Sequence, residues 1–508
     1  MTNQLFMTKP HSVLLEELRG EQRLRRILGP VHLSSLGVGA IIGTGIFVLT
    51  GVAAHDRTGP ALMLSFVVAG VTCIFAALCY AEFASMVPVA GSAYTYAYAT
   101  LGELLAWIIG WDLILEYAVA SATVAHGWSH YFQDFLAYFN VALPHIFTNA
   151  PFDYVPETGK LALTGTWVDL PAILVALFIT AILVKGIQES ASLNASIVIL
   201  KLAIVFFVIG LGVFYVNPAN WRPFAPFGLT GFGFFGHTVM GQTGKGGEPL
   251  GMLAGAAYVF FAYIGFDSVS THAEEARNPS RDVPIGIMTS LVLCTILYIA
   301  MAAVLTGMVH YDQINIDAPV SDAFRQVGLP WAQLLVSVGA VAGITSVLLV
   351  MMLSQPRIFL AMARDGLLPP GFFAAVHERF RTPWKSTILT GVFVATMGAL
   401  LPLRILAELV NIGTLLAFVI VCAAVLIMRR THPEVPRPFR VPFSPVTPIL
   451  GILCCLLLMF SLAAANWWRL FGWLAVGLVI YFTYGHKHSR LAIRTAKEAS
   501  ARTLAAKS

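Results

Sequence analysis

Charged residues are scarce in this chain. They make up 11% of its 508 residues, whereas 57% are hydrophobic and the mean hydropathy is +0.78. Soluble domains carry about 25% charged residues. The deficit argues against a soluble protein and predicts an all-α polytopic membrane protein.

Patterns for catalysis and metal binding are missing as well. No His/Cys cluster has metal-site spacing, and no nucleophile stands in a pattern with a base. We expect the scattered His126, His237 and His272 to pack or cap helices. We therefore expect no enzyme activity, no metal site and no cofactor. All six cysteines fall in apolar segments and are expected to be buried without disulfides: Cys73, Cys79, Cys294, Cys422, Cys454 and Cys455.

Long apolar runs fill most of the chain. A membrane-spanning helix needs about 20 apolar residues, and we place twelve such segments. A charged, arginine-rich lead precedes the first, and no small-residue cleavage site follows it, so we expect no cleavable signal. The twelve spans are predicted at 33–54, 60–87, 98–132, 170–185, 192–216, 252–272, 283–308, 331–355, 384–403, 405–428, 447–465 and 469–485.

The basic residues indicate how the chain is oriented in the membrane. Of its 31 lysines and arginines, 23 fall on the side that holds both termini and seven on the opposite side, with Lys201 inside a span. Basic residues are enriched in cytoplasmic loops. We therefore predict a multi-pass protein of the plasma or inner membrane with both termini in the cytoplasm.

The first span contains a glycine-rich interruption at 39–47, with the sequence Gly-Ala-Ile-Ile-Gly-Thr-Gly-Ile-Phe. Glycine weakens a helix, and a break within the bilayer persists only where protein buries it or where it lines a cavity. Broken half-helices can bind charged groups of a substrate. We interpret Gly43, Thr44 and Gly45 as one wall of a site for a small zwitterion; the alternative is a close-packing face between helices.

A second interruption lies in the sixth span. Gly265 and Asp267 interrupt its aromatic sequence near mid-membrane. Because the two interruptions are five spans apart, the second copy must be inverted across the membrane. This arrangement is typical of transporters built from inverted repeats.

Lys201, Asp112 and Glu116 are ionisable side chains within predicted spans. Lys201 stands about eight residues into the fifth span, too deep to reach an interface easily; the alternative is a lysine lying along a wet groove. Asp112 and Glu116 share one face of the third span. Acids in a span usually face the bundle interior or a wet cavity. They are either functional groups, with Glu116 the better candidate, or a structural pair.

Four motifs together resemble the amino acid–polyamine–organocation (APC) superfamily, and specifically bacterial relatives of the cationic amino acid transporters (CAT). They are the glycine-rich run at 39–47, Phe-Ala-Tyr-Ile-Gly-Phe-Asp at 261–267, Glu-Glu-Ala-Arg-Asn-Pro at 274–279 and Arg-Asp-Gly-Leu-Leu-Pro at 364–369. The resemblance covers residues from about 30 to 485. It implies a leucine-transporter-like 5+5 inverted repeat with two further helices, about twelve in all, with helices one and six broken.

The resemblance also implies a role for individual residues. Backbone N–H groups of Thr44 and Gly45 would bind the substrate carboxylate, and Glu116 would lie near the substrate side chain. Carbonyl groups of Ile41, Phe261 and Ile264 would accept from its α-amine. Lys201 would replace a sodium ion and bridge a carbonyl of the first span, such as that of Gly39 or Ala40, to the hydroxyl of Thr345.

The implied function is amino acid transport by alternating access, as proton symport through Lys201, with cationic or small neutral L-amino acids as substrates. Alternatives are an exchanger or uniporter, and a sensor that does not transport. We expect the partners to be the amino acid, protons and the lipid bilayer, with no nucleic acid; a small membrane-protein partner and the oligomeric state stay open. The predicted divisions are a cytoplasmic N-terminal segment (1–32), the first repeat (33–216), an extracellular loop (217–251), the second repeat (252–428), spans eleven and twelve (429–485) and a basic cytoplasmic tail (486–508).

Overall fold

A computed structural model of the protein describes residues 2–10, 28–86, 92–155, 160–186, 191–235, 237–245 and 247–505. The arginine-rich lead at 19–26 lies outside these residues. Within them, the chain is helical apart from short hairpins and connecting loops. Gln4 near the start donates to the backbone oxygen of His486 near the end (2.7 Å). Both ends of the described chain therefore lie on the same face of the helix bundle, as an even number of spans requires.

Each of the twelve predicted segments contains a helix. Seven helices in the described part of the chain are individually long and apolar enough to cross a membrane, and the last two spans meet at a bend of 112°. The protein is thus an all-α polytopic membrane protein. The helices of the twelve spans are Pro30–Ile41 continued by 45–58, Leu62–Met86, Glu103–Tyr138, Leu170–Lys185, Ala191–Gly212, Met252–Val259 with Ser268–Thr271, Pro279–Met308, Pro330–Arg364, Trp384–Leu400, Leu403–Thr431, Val446–Phe460 and Ala464–Ile480.

Shorter elements connect the spans. Six short strands form three antiparallel hairpins in the loops at 139–169 and 217–251: β1 (Phe152–Val155) with β2 (Lys160–Leu163), β3 (Phe232–Phe234) with β4 (His237–Met240), and β5 (Gln242–Thr243) with β6 (Pro249–Leu250). We call the face that carries these loops the outer face. The longer connecting helices are Ser92–Thr100 and Pro319–Gln326, and the helix Arg490–Ala505 follows the last span.

The predicted breaks in spans one and six are confirmed. The first helix ends at Ile41, Ile42 is extended (φ −73°, ψ 101°), and a wide π-helical turn begins at Gly45. In span six, Ile264 is extended (φ −59°, ψ 134°) and Gly265 has a φ of +114°. Glycine adopts such a positive φ without the steric cost that a Cβ atom brings, which explains why the second break falls there.

The two breaks pack directly against each other. A Cβ atom added to Gly45 would lie 2.5 Å from the Cα of Ala262, and one added to Gly265 would lie 3.0 Å from the carbonyl oxygen of Ala40. Glycine at these positions therefore allows the backbones of the two spans to touch. The contact brings irregular backbone from both helices into one place inside the bundle.

Buried charges near the two faces of the bundle are paired. Towards the outer face, Arg57 forms an ion pair with Glu408, and Asn466 donates to the same carboxylate (3.1 Å). Towards the opposite face, Arg429 pairs with Glu82. A buried charge is costly unless it is paired and hydrogen-bonded. We therefore interpret these ion pairs as structural links between distant parts of the chain.

Candidate functional site

The break in span one exposes backbone carbonyl groups, and Lys201 from span five binds two of them. Its Nζ donates to the carbonyl oxygens of Gly39 (2.6 Å) and Ile42 (3.1 Å). Carbonyls at a helix end have lost their intrahelical donors, and a buried ammonium group needs acceptors. The lysine and the break therefore compensate each other. The predicted proximity of Lys201 to Gly39 is present, with Ile42 as the second acceptor.

Thr345 lies elsewhere than expected. Its hydroxyl accepts a hydrogen bond from Nε1 of Trp128 (2.8 Å) and donates to the carbonyl of Val341 (2.7 Å). The stem of Lys201 packs instead against Gly343, where an added Cβ would lie 3.3 Å from the lysine Cγ. Each residue turns the helix by about 100°, so residues two apart lie on nearly opposite faces of the helix. Among the described residues, Lys201 therefore makes no hydrogen bond to the Thr345 hydroxyl, and the expected bridge stays a prediction.

Tyr298 of span seven links the two breaks, a role that the sequence analysis missed. Its hydroxyl lies 2.9 Å from the carbonyl oxygen of Ile41 and 2.7 Å from that of Ala262. The Ile41 carbonyl, expected to accept from a substrate amine, thus already has a hydroxyl neighbour. The only available signal in the sequence was a tyrosine in an apolar span.

A narrow cavity lies between the breaks. Its volume of about 10 Å³ is room for about one water molecule. The hydroxyl oxygen of Thr44 is buried there without a hydrogen-bond partner among the described residues. An amino acid could enter only if the walls moved apart. The lining consists of Ala40, Ile41, Gly43, Thr44, Gly45, Val124, Phe261, Ile264, Val347 and Met351.

The cavity lining combines backbone polar groups of the two breaks with apolar side chains. The helical turn starting at Gly45 presents its N-terminus there, and helix N-termini attract carboxylates. At the other break, the carbonyl of Phe261 accepts from the backbone of Ile264 (3.1 Å) and keeps a second lone pair. Val124 and Val347 contribute aliphatic groups to the same lining. If the walls moved apart, these groups would suit a zwitterion whose side chain is apolar.

Five predicted substrate-site residues line this cavity together, and Glu116 does not. It lies on span three about 12 Å before Val124, counted along the helix. There it is buried near Asp112 and Asp267, which accepts from the hydroxyl of Tyr117 (2.7 Å). The expected contact of Glu116 with a substrate side chain is not supported, because the helix places Glu116 outside the cavity lining. The residues that do line it are Ile41, Thr44, Gly45, Phe261 and Ile264.

Comparison with known proteins agrees with this geometry. Residues 28–481 match the family described as amino acid permease. The chain belongs to the amino acid permease family. This family lies within the APC superfamily, so the resemblance drawn from the four motifs is confirmed.

Two named relatives match nearly the whole length of this permease, and a third matches most of it. It is 46% identical over 489 residues to the methylthioribose transporter of Bacillus subtilis, covering 96% of this chain and 99% of the relative. It is 47% identical over 492 residues to the branched-chain amino acid permease BcaP of the same organism, covering 97% and 100%. Identity to the vacuolar cationic amino acid transporter 4 of Arabidopsis thaliana is 39% over 429 residues, covering 83% of this chain and 66% of that protein. All three are named as transporters or permeases, and this permease is accordingly a membrane transporter and not an enzyme.

Proposed function

We propose that this permease is a secondary active transporter that carries neutral amino acids across the cytoplasmic membrane by alternating access, coupled to protons through Lys201. The observation that carries the proposal is the position of the Lys201 ammonium on the Gly39 and Ile42 carbonyls, at the break that forms the cavity wall. A change at this lysine would act directly on the substrate site.

Two features of the cavity and the name of one relative support a neutral substrate with a small or branched side chain. Val124, Val347 and Met351 provide an apolar surface. Glu116, the acid that could have bound a cationic side chain, lies outside the lining. One relative of nearly half-identical sequence is named a branched-chain amino acid permease. We therefore place valine, leucine, isoleucine and alanine ahead of arginine and lysine as substrates.

The energetics of the buried lysine support proton coupling. A charged side chain at the bilayer centre costs about 3 kcal/mol on insertion scales, so the ammonium depends on its two carbonyl acceptors. Loss of its proton would leave a neutral amine, whose hydrogen bonds to the Gly39 and Ile42 carbonyls are weaker than those of the ammonium, and would thus loosen the break in span one. The break is thus a two-state element whose balance a proton can shift. The alternative is an exchanger or uniporter in which Lys201 is a fixed cation.

Transport by purified protein in liposomes tests the proposal. Uptake of labelled valine, leucine, isoleucine, alanine, arginine, lysine and methylthioribose is measured with and without an inward proton gradient, in sodium and in sodium-free buffer. We expect gradient-driven, sodium-independent accumulation of the neutral amino acids. Uptake only into liposomes preloaded with amino acid would favour an exchanger. Binding without uptake would favour a sensor, and selective uptake of methylthioribose would overturn the amino acid assignment.

A further inference from the structure

Three side chains with metal-ligating atoms converge near the outer face, away from the substrate cavity. His126 and His130 are one helical turn apart on span three, and Asp169 immediately precedes the helix of span four. One ligand atom of each lies within 4.8 Å of the other two. His126 and Asp169 are buried, and His130 is partly exposed.

Both imidazole rings are held by oxygen acceptors through Nδ1. Nδ1 of His126 lies 3.1 Å from the carbonyl oxygen of Gly398, and Nδ1 of His130 lies 3.0 Å from Oδ1 of Asp317. A proton on Nδ1 leaves the lone pair on Nε2, and metal-binding histidines usually have their other nitrogen fixed in this way. The ring centroids are 4.7 Å apart. The two rings are therefore neighbours in a fixed orientation.

The carboxylate of Asp169 has one occupied oxygen and one without a hydrogen bond. Oδ1 accepts from the hydroxyl of Ser129 and, as a helix cap, from the backbone N–H of Ala172 (3.1 Å). Oδ2 is buried without a hydrogen-bond partner among the described residues and lies 3.2 Å from Nδ1 of His126. The Nδ1 proton of His126 is directed to the Gly398 carbonyl and leaves this buried carboxylate oxygen poorly compensated, which is costly. A bound cation would remove that cost.

We propose that His126, His130 and Asp169 form a binding site for a divalent transition-metal ion of the zinc class. Two imidazoles and one carboxylate are typical zinc ligands, whereas calcium and magnesium prefer oxygen ligands alone. Tetrahedral zinc with bonds near 2.0 Å holds its ligand atoms about 3.4 Å apart. The three ligands must therefore draw together by about an ångström when the ion enters, and the fourth position remains for water.

The site is placed where it can influence transport. Val124, two residues before His126, lines the substrate cavity, and Gly127 packs so closely on Thr44 that an added Cβ would lie 2.5 Å from the threonine Cγ2. A metal ion on His126, His130 and Asp169 would fasten this part of span three to the start of span four. It would thus restrain one wall of the cavity without touching the substrate.

Calorimetric titration of the full-length, purified protein with Zn²⁺, after treatment with a chelator and removal of any histidine tag, tests the site. We expect one ion per chain in the wild type. His130→Gln and Asp169→Asn should each weaken the affinity at least about tenfold. Asparagine can still cap the helix of span four, so that variant is expected to fold. His310→Gln is the matched control, because His310 is also a histidine on the outer face and pairs with an aspartate, Asp312.

The proposal is overturned if the wild type binds no zinc, or if both ligand variants bind it as tightly as the control. Co²⁺ provides a second readout that does not depend on the variants. Cobalt in the wild-type protein should show the visible absorption of a tetrahedral ion, and a purely octahedral spectrum would also overturn the site. Thermal unfolding of each variant without metal identifies any that fails to fold.

Discussion

At the scale of single residues, the ionisable groups that the sequence analysis singled out within spans one to six divide into two kinds. Lys201 is satisfied by two backbone carbonyls at the break in span one. Asp112, Glu116 and Asp267 form a buried group of acids, and no ion pair to any of them occurs among the described residues. Both carboxylate oxygens of Asp112 and Oε1 of Glu116 also lack hydrogen bonds there. The lysine thus contacts the break that forms the wall of the substrate cavity, whereas the three acids lie outside the cavity lining.

Substitution of Lys201 tests its role in coupling. Lys201→Met removes the charge at similar volume, and Lys201→Arg keeps a charge that cannot be released. If the lysine must gain and lose a proton, both variants should lose proton-driven accumulation, by at least about tenfold. The arginine variant should keep more exchange activity, because a cation still holds the carbonyls. Uptake and exchange in liposomes measure the two activities.

A methionine variant that still accumulates substrate in a proton gradient would exclude Lys201 as the coupling group. An arginine variant with full proton-driven uptake would show that a fixed charge is sufficient.

Glu116→Gln separates a role in substrate recognition from a role in the buried acid group. Because Glu116 lies outside the cavity lining, we expect the substitution to change transport of alanine and arginine by similar factors. Competition with labelled alanine in liposomes provides the comparison. A selective loss of arginine or lysine binding would show instead that the side chain reaches the substrate in another conformation.

At the scale of elements, the function depends on two helices that are broken at matching places. The break in span one leaves carbonyls that Lys201 and Tyr298 hold, and the break in span six needs the positive φ of Gly265. The hydroxyl of Tyr298 contacts both breaks, so the two half-helices do not move independently. An amino acid can enter only when these contacts rearrange, because the cavity is narrow.

Alanine substitution of the glycines tests this contact. We expect Gly265→Ala and Gly45→Ala each to destabilise the protein by about 1–3 kcal/mol, since the first strains the backbone and the second forces apart two touching backbones. Gly210→Ala is the control, because Gly210 is helical and an added Cβ would meet nothing within 4 Å. Thermal unfolding in detergent gives the comparison. Equal stability of all three variants would contradict the packing role of the two glycines.

At the scale of the whole molecule, both described chain ends lie on one face and the hairpin loops on the other. One ion pair lies near each face: Arg57 with Glu408 on the outer side, and Arg429 with Glu82 on the opposite side. The cavity lies between these two layers. The alternating access that we propose would require the contacts of each layer to open in turn.

Reporter fusions determine which face is cytoplasmic. The charge asymmetry of 23 to seven predicts that a reporter after residue 220 lies outside the cytoplasm and that one after residue 280 lies within it. A fusion after residue 485 serves as the control and should behave like the one after 280. The reverse pattern would invert the orientation, and identical behaviour at 220 and 280 would contradict the span between them.

The sequence by itself determined the membrane class, the positions of the twelve helices, the two breaks and the family. These features depend on local chemistry: apolar runs long enough to cross a bilayer, and glycines that weaken a helix wherever they stand. The motifs also identified five residues of the cavity lining, because they belong to the breaks themselves.

Only the tertiary structure decided which side chains meet. It showed that Lys201 donates to the carbonyl of Ile42, that Thr345 accepts from Trp128, and that Glu116 lies outside the lining of the substrate cavity. It also brought Asp169 to His126, which the sequence analysis had assigned to packing. The reason is geometric: each residue turns the helix by about 100°, so a contact depends on the rotation and depth of both helices. These are set by the packing of the whole bundle, which no local pattern records.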